Sequence, residues 1–234
     1  MLIKDDSIFQ KIPIILDKKQ VYLIEGIRYC ANSISLSYIS LVDNLSKISE
    51  RSSNKSGLYY SVYKEAWAMI DSTYRLTCFI SALSVSDGEA SDDFKFLLET
   101  KSLRNTFEHL DERIDEIIVK INAPLWGNIS WLKVIDDQNG KLFYLSAGHP
   151  NEKFESILIN PSGKLIDGEI NCITLETIQR KKDDHVIILD LSELYKRTEK
   201  IIQKMTHELE AQLTPHLIHG KYAQDILLTI NIHW

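Results

Sequence analysis

The sequence predicts an α+β protein: an N-terminal antiparallel helical bundle, then a small antiparallel β-sheet region, then a C-terminal helix. Three observations predict it. Ahead of Pro124, apolar residues return at helical spacing over three long stretches. Beyond Pro124 they alternate in short runs of β-branched and aromatic residues broken by turn dipeptides. Near the end, Asp190 with Glu193 three positions later opens a last helical stretch. The change in texture sets a boundary between a bundle over 1–124 and a meander with its helix over 125–234.

Residues 1–19 read as an extended lead-in, since Ile12-Pro13-Ile14-Ile15-Leu16 is short and interrupted by proline. The first helix runs from Gln20 to about Ile48, carried by Val21, Ile24, Ile27, Ile34, Tyr38, Leu41 and Leu45. Asn32, Ser33, Ser35 and Ser37 lower its helix propensity and favour a bend there. A polar loop over 49–57 leads to a second helix over 58–83, with Tyr63, Trp67, Ile70, Tyr74 and Phe79 on its packing side. After a break at 84–91, Asp92 is placed to cap a third long helix from Phe94 to Ile121. Its apolar stripe is Leu103, Phe107, Leu110, Ile114, Ile117 and Ile121. Each stripe is too broad to face water, so short connections make the helices neighbours.

Five strands are predicted next: 129–135, 142–146, 154–159, 170–175 and 185–189. Asn139-Gly140, Pro161-Ser162-Gly163, Asp167-Gly168 and Asp183-Asp184 supply the turns of an antiparallel meander. Leu194, Ile201, Met205 and Leu209 then carry a helix that stops at Thr214-Pro215, and 225–232 reads as a final strand.

Composition excludes several classes. The chain of 234 residues is 44% hydrophobic and 26% charged, an ordinary globular balance. Its net charge of -6 gives no overall basic field for nucleic acid or anionic membrane. Cys30, Cys78 and Cys172 form no CxxC pair and read as buried thiols in a reducing compartment. The acidic start and the absence of a long apolar run point to a cytoplasmic protein with no membrane contact. No dinucleotide, P-loop, nucleophile-elbow or HExxH motif occurs, so no cofactor is implied.

The chemistry-bearing stretch is Arg104-Asn105-Thr106-Phe107-Glu108-His109. On a helix turning about 100° per residue, Arg104, Asn105 and His109 lie off the apolar stripe, with Arg104 and His109 roughly 140° apart. Histidine exchanges protons near neutral pH, and arginine holds phosphate charge by a two-pronged contact. The same spacing lets Glu108 pair with Arg104. Acids outnumber bases five to two between Arg104 and Glu116, so any RNA contact is local.

This R-N-x-x-x-H sequence on a helix resembles the signature of the HEPN superfamily, over residues 20–121 at most. The resemblance implies a helical bundle acting as a dimeric, metal-independent endoribonuclease, often a toxin or a phage-defence protein. It implies that Arg104 holds the scissile phosphate, Asn105 helps position it, and His109 serves as acid or base. A two-fold dimer would gather two copies of Arg104 and His109 into one cleft. The alternative is a non-catalytic HEPN-like scaffold that dimerises and binds a protein partner, such as an antitoxin, instead of RNA.

Other candidates read more simply. His207, His216 and His219 lack a fourth ligand at metal spacing and make a surface cluster. Gly148-His149-Pro150 reads as a turn. Lys196, Arg197, Lys200 and Lys204 form a basic stripe diluted by Glu193, Glu199, Glu208 and Glu210.

Overall fold

The computed structural model describes residues 1–13, 15–50, 56–83, 91–114, 124–136, 139–146, 169–179 and 185–219. Helix α1 spans Lys18–Ser49 and α2 spans Ser56–Leu83. Three shorter helices follow: α3 at Asp92–Leu98, α4 at Thr100–Glu108 and α5 at Leu110–Arg113. Strands β1 (Asn128–Asp136), β2 (Asn139–Ser146), β3 (Ile170–Gln179) and β4 (His185–Asp190) lead into α6, Leu191–Leu213. The chain is thus an α+β arrangement of bundle, antiparallel sheet and C-terminal helix, as its patterning predicts. No helix among the described residues is long and apolar enough to cross a membrane.

A capping box starts α1: the Asp17 carboxylate accepts from the Gln20 N–H at 2.9 Å, and the Gln20 side chain accepts from the Asp17 N–H at 3.3 Å. The helix then runs without interruption through the serines that favoured a bend. Ser33 bonds across to Ser72 of α2 at 2.9 Å, so one of these hydroxyls serves the helix pair instead of breaking it. Gly26 lets α2 approach closely; a Cβ there would lie 2.8 Å from the Phe79 ring. The lead-in holds a 3-10 turn at Ile8–Gln10, and Ile3, Ile8, Phe9 and Ile12 are buried.

The third long helix is a correction. Instead of one helix over 94–121, the chain folds into α3, α4 and α5, with residues 115–123 outside the described set. Ser91, not Asp92, caps α3, accepting from the Phe94 N–H at 3.1 Å. At the first break the Glu99 N–H bonds to Phe96 at 3.1 Å and the Ser102 N–H to Glu99 at 3.3 Å, both tight i to i+3 turns. The buried Thr100 hydroxyl donates to the Leu97 carbonyl at 2.6 Å, drawing that carbonyl toward the side chain. The second break is His109, whose φ of -109° and ψ of 30° leave the helical region. The stripe changes character along the way: Leu103 is fully buried, while Ile114 is exposed. Ile117 and Ile121 lie outside the described residues.

The sheet order is β2-β1-β3-β4, all antiparallel. Two hairpins are joined by pairing β3 to β1, whereas a strict meander would place β3 beside β2. The predicted strands at 154–159 and 225–232 lie outside the described residues, as do Pro161-Ser162-Gly163, Asp167-Gly168 and Asp183-Asp184. Asp136 closes the first hairpin by accepting from the Asn139 N–H at 2.9 Å. A register shift opposite Trp131 places Cys172 at φ 52° and lets the Ile173 N–H donate to Ser192 at 3.0 Å.

One buried apolar cluster runs through both halves, from Ile27 and Leu41 to Ile129, Trp131, Leu194 and Ile202. Tyr38 of α1 stacks on Tyr195 of α6 at 4.2 Å, and the Trp131 indole donates to Ser49 at 2.9 Å. Asp190 caps α6 as predicted, accepting from the Glu193 N–H at 2.8 Å. Burial holds the Asp190 carboxyl above its ordinary range even with that bond.

Candidate functional site

Asp71 and Tyr74 lie about one turn apart on α2, on the side that α4 covers. Arg104 reaches across from α4 and donates from Nε to Asp71 Oδ1 at 3.1 Å. Its other end pairs with Glu108 one turn along α4, the contact expected from spacing. The guanidinium carbon lies over the Tyr74 ring, 4.7 Å from its centre. Only 19% of the Arg104 side chain remains exposed.

Asp71 is shared. Arg75 donates from Nε to its second oxygen at 2.7 Å. Burial alone would raise the Asp71 carboxyl, but hydrogen bonds from Arg75 and Arg104 outweigh it and hold it below its ordinary range. Arg75 is raised in turn, chiefly by its hydrogen bond to Asp71. Two arginines and two carboxylates therefore balance across the α2–α4 junction, and Arg104 is engaged on both prongs.

His109 is differently placed. It stands in the break between α4 and α5 with 55% of its side chain exposed, and Nδ1 lies 3.6 Å from Glu112. Asn105 is exposed on the outer face of α4. Among the described residues no hydrogen bond or ion pair joins any two of Arg104, Asn105 and His109. Within one chain, the three predicted site residues are not drawn onto a common point.

An aromatic cluster adjoins this turn. Phe107 stacks on Trp67 at 4.6 Å and meets Trp126 at 5.8 Å in a tilted contact. Trp126 is aimed by a turn in which the Gly127 N–H donates to Pro124 at 3.1 Å. Gly127 has φ 84°, and a Cβ there would lie 2.5 Å from the Glu176 carbonyl oxygen, so both conformation and space demand glycine. The Trp67 indole donates to the Trp126 carbonyl at 3.3 Å, and Tyr63 donates to Gly127 at 3.2 Å and to Leu145 at 2.7 Å. Tyr63 and Trp67 are buried, whereas Phe107 and Trp126 keep an exposed edge.

Sequence reasoning missed Asp71, because its partner is distant in the chain and only the Asp71-to-Arg75 spacing hints at pairing. Trp126 was passed over beside a proline. Two members of the basic stripe on α6 are ion-paired: Arg197 donates to Glu193 at 2.8 Å and covers the Phe96 ring at 4.5 Å, and Lys204 lies 3.7 Å from Glu208. Among the described residues no three His, Cys, Asp or Glu side chains are grouped to hold a metal. Gly148-His149-Pro150 falls outside them, as does the side chain of His219. Comparison of the chain with protein families, with curated proteins and with solved structures returns no match.

Proposed function

We propose that this chain is a non-catalytic, HEPN-like interaction protein in which the Arg104 motif fastens the bundle together. The observation that carries the reading is the engagement of Arg104 by Asp71, Glu108 and the Tyr74 ring. A phosphate-binding arginine needs a free fork, and here freeing it would strand two carboxylates beside α2. Exposed apolar side chains along α1, Tyr22, Tyr29, Leu36 and Ile39, supply a surface suited to another protein chain. A cytoplasmic setting accords with cysteines that form no CxxC pair; Cys30 and Cys172 are buried, whereas Cys78 is exposed, against the expectation of three buried thiols.

A second reading, metal-independent RNA cleavage by a dimer, is favoured by one feature. Asn105, Phe107 and His109 alternate along one short stretch and face solvent, and Phe107 meets the half-open Trp126 ring at 5.8 Å, as base-stacking and proton-transfer groups must.

The test is a mixed RNA pool incubated with EDTA and purified wild type, His109→Ala or Arg104→Ala. The interaction reading expects intact RNA in every sample. Cleavage by wild type that His109→Ala abolishes while the variant stays folded would replace it with the second reading.

A further inference from the structure

The sheet turns one face to the helices and carries a row of polar side chains on the other. Ile129, Leu145, Leu175 and Leu189 stand opposite one another across the strands and pack into the core. One residue along, the register sets Ser146, Asn128, Glu176 and Ile188 side by side on the outer face. Tyr144, Ser130 and Thr174 form the next row, where the Ser130 and Thr174 hydroxyls satisfy each other at 2.6 Å. The Asn128 row does not close in this way. Asn128 is 9% exposed, and its side-chain oxygen and the Ser146 hydroxyl are buried with no hydrogen-bond partner. The Asn128 side chain donates to the Glu176 carboxylate, and among the described residues no cation pairs with that group. Burial holds the Glu176 carboxyl above its ordinary range even with that bond. Burial and then the charge of Glu176 push the Tyr144 hydroxyl up to about 12, which places the two side chains together above Ser130. Leu142 and Tyr144 on β2 and Val186 and Ile188 on β4 keep exposed surface, so the face opens to solvent along both sides.

We propose that this face receives an arginine side chain of a protein partner, its guanidinium set between Glu176 and the Asn128 side-chain oxygen and against the Tyr144 ring. This rests on the interaction reading above and adds the chemistry by which the partner is recognised. The row offers acceptors and lacks donors: a carboxylate without a cation beside a carbonyl without an N–H. A guanidinium carries five N–H donors in one plane and no acceptor, so it serves both residues at once. Its charge would pair with a carboxylate that the fold already holds partly out of water, turning an uncompensated cost into a matched contact. Lysine fits less well, because its compact ammonium is strongly hydrated and would shed more water here. The Tyr144 ring supplies a face on which a guanidinium stacks. The apolar side chains flanking the row, Leu142 and Ile188, match the neighbours of an arginine within a protein segment better than they match a free amine. Ser146, able to donate or accept, is left for a backbone group of that segment.

Titration of the full-length chain with N-acetyl-arginine amide, followed by proton–nitrogen NMR, tests this. Wild type should show saturable shifts at Asn128, Ser146 and Glu176. The lysine analogue and the uncharged citrulline analogue should each bind about tenfold more weakly. Glu176→Gln should weaken arginine binding about tenfold and Asn128→Ala about fivefold. Glu176→Gln should melt no lower than wild type, since it removes a carboxylate that the fold penalises. Asp43→Asn, an exposed acid on α1, should change nothing and so separates this site from general attraction of cations. Absence of saturable shifts, equal binding by citrulline, or arginine binding undiminished in folded Glu176→Gln overturns the proposal. Guanosine shifting the same residues more strongly than arginine would assign the face to a nucleobase and overturn it as well. A chain that ignores arginine and leaves RNA intact loses only this site. RNA cleavage lost in His109→Ala removes the interaction reading whatever the arginine titration shows.

Discussion

Arg104 and His109 stand at the two ends of one short motif, and the fold treats them oppositely. Arg104 crosses to α2 and is held by two carboxylates and a tyrosine ring, with 19% of its side chain exposed. His109 sits in a helix break with one distant carboxylate, and 55% of its side chain is in water. A motif that reads as one functional unit along the chain is divided between structure at its first residue and open surface at its last. Local spacing defines neighbours on a helix; tertiary packing decides which of them are free to act.

Five substitutions sharpen that division. Leu103→Ala should have the largest effect, costing about 2–5 kcal/mol in urea unfolding, because a fully buried leucine leaves a cavity under the motif. Arg104→Ala should cost about 1–2 kcal/mol, since it strands Asp71 and Glu108, which are half exposed and so partly rehydrated. Arg104→Lys should recover part of this, keeping the charge without the fork. His109→Ala and Asn105→Ala should each stay within about 0.5 kcal/mol of wild type. Equal losses at both ends would dissolve the contrast.

Acid sharpens it further. The Asp71 carboxyl is held below its ordinary 3.8 in the folded protein by bonds from Arg75 and Arg104 that outweigh burial. The stability this gives is fully present above pH 3.8 and is lost as pH falls through the lower folded value. Asp71→Asn should therefore be less stable than wild type at neutral pH, with the gap closing as the solution is acidified. Burial raises Glu176, so its sign is reversed: its ionisation penalises the fold as pH rises through the folded value. Glu176→Gln should accordingly narrow no gap in acid and should relieve a small penalty near neutrality.

The contrast also explains what the sequence could yield. Helices α1, α2 and α6 and the strands at 128–136, 139–146, 170–179 and 185–190 were legible because periodicity and caps are local signals. The Glu108 contact was legible for the same reason. The breaks at Glu99 and His109 were not, since neither residue is a strong helix breaker. They depend on the Thr100 hydroxyl and on the fit of Phe107 against Trp67 and Trp126, which only packing supplies. Laying Arg104 and His109 on one straight helical wheel therefore misplaced His109, which belongs to a turn. Asp71 was invisible for a related reason: its bond to Arg104 spans 33 residues and two helices.

A double-mutant cycle between Arg104→Ala and Asp71→Asn, read by urea unfolding, tests most directly whether the motif arginine is a clamp. Coupled residues in one ion-pair network should show an interaction of about 1 kcal/mol, with the second change costing little once the first is made. Strict additivity, with Arg104→Ala no more costly than His109→Ala, would contradict the clamp and leave Arg104 available for phosphate.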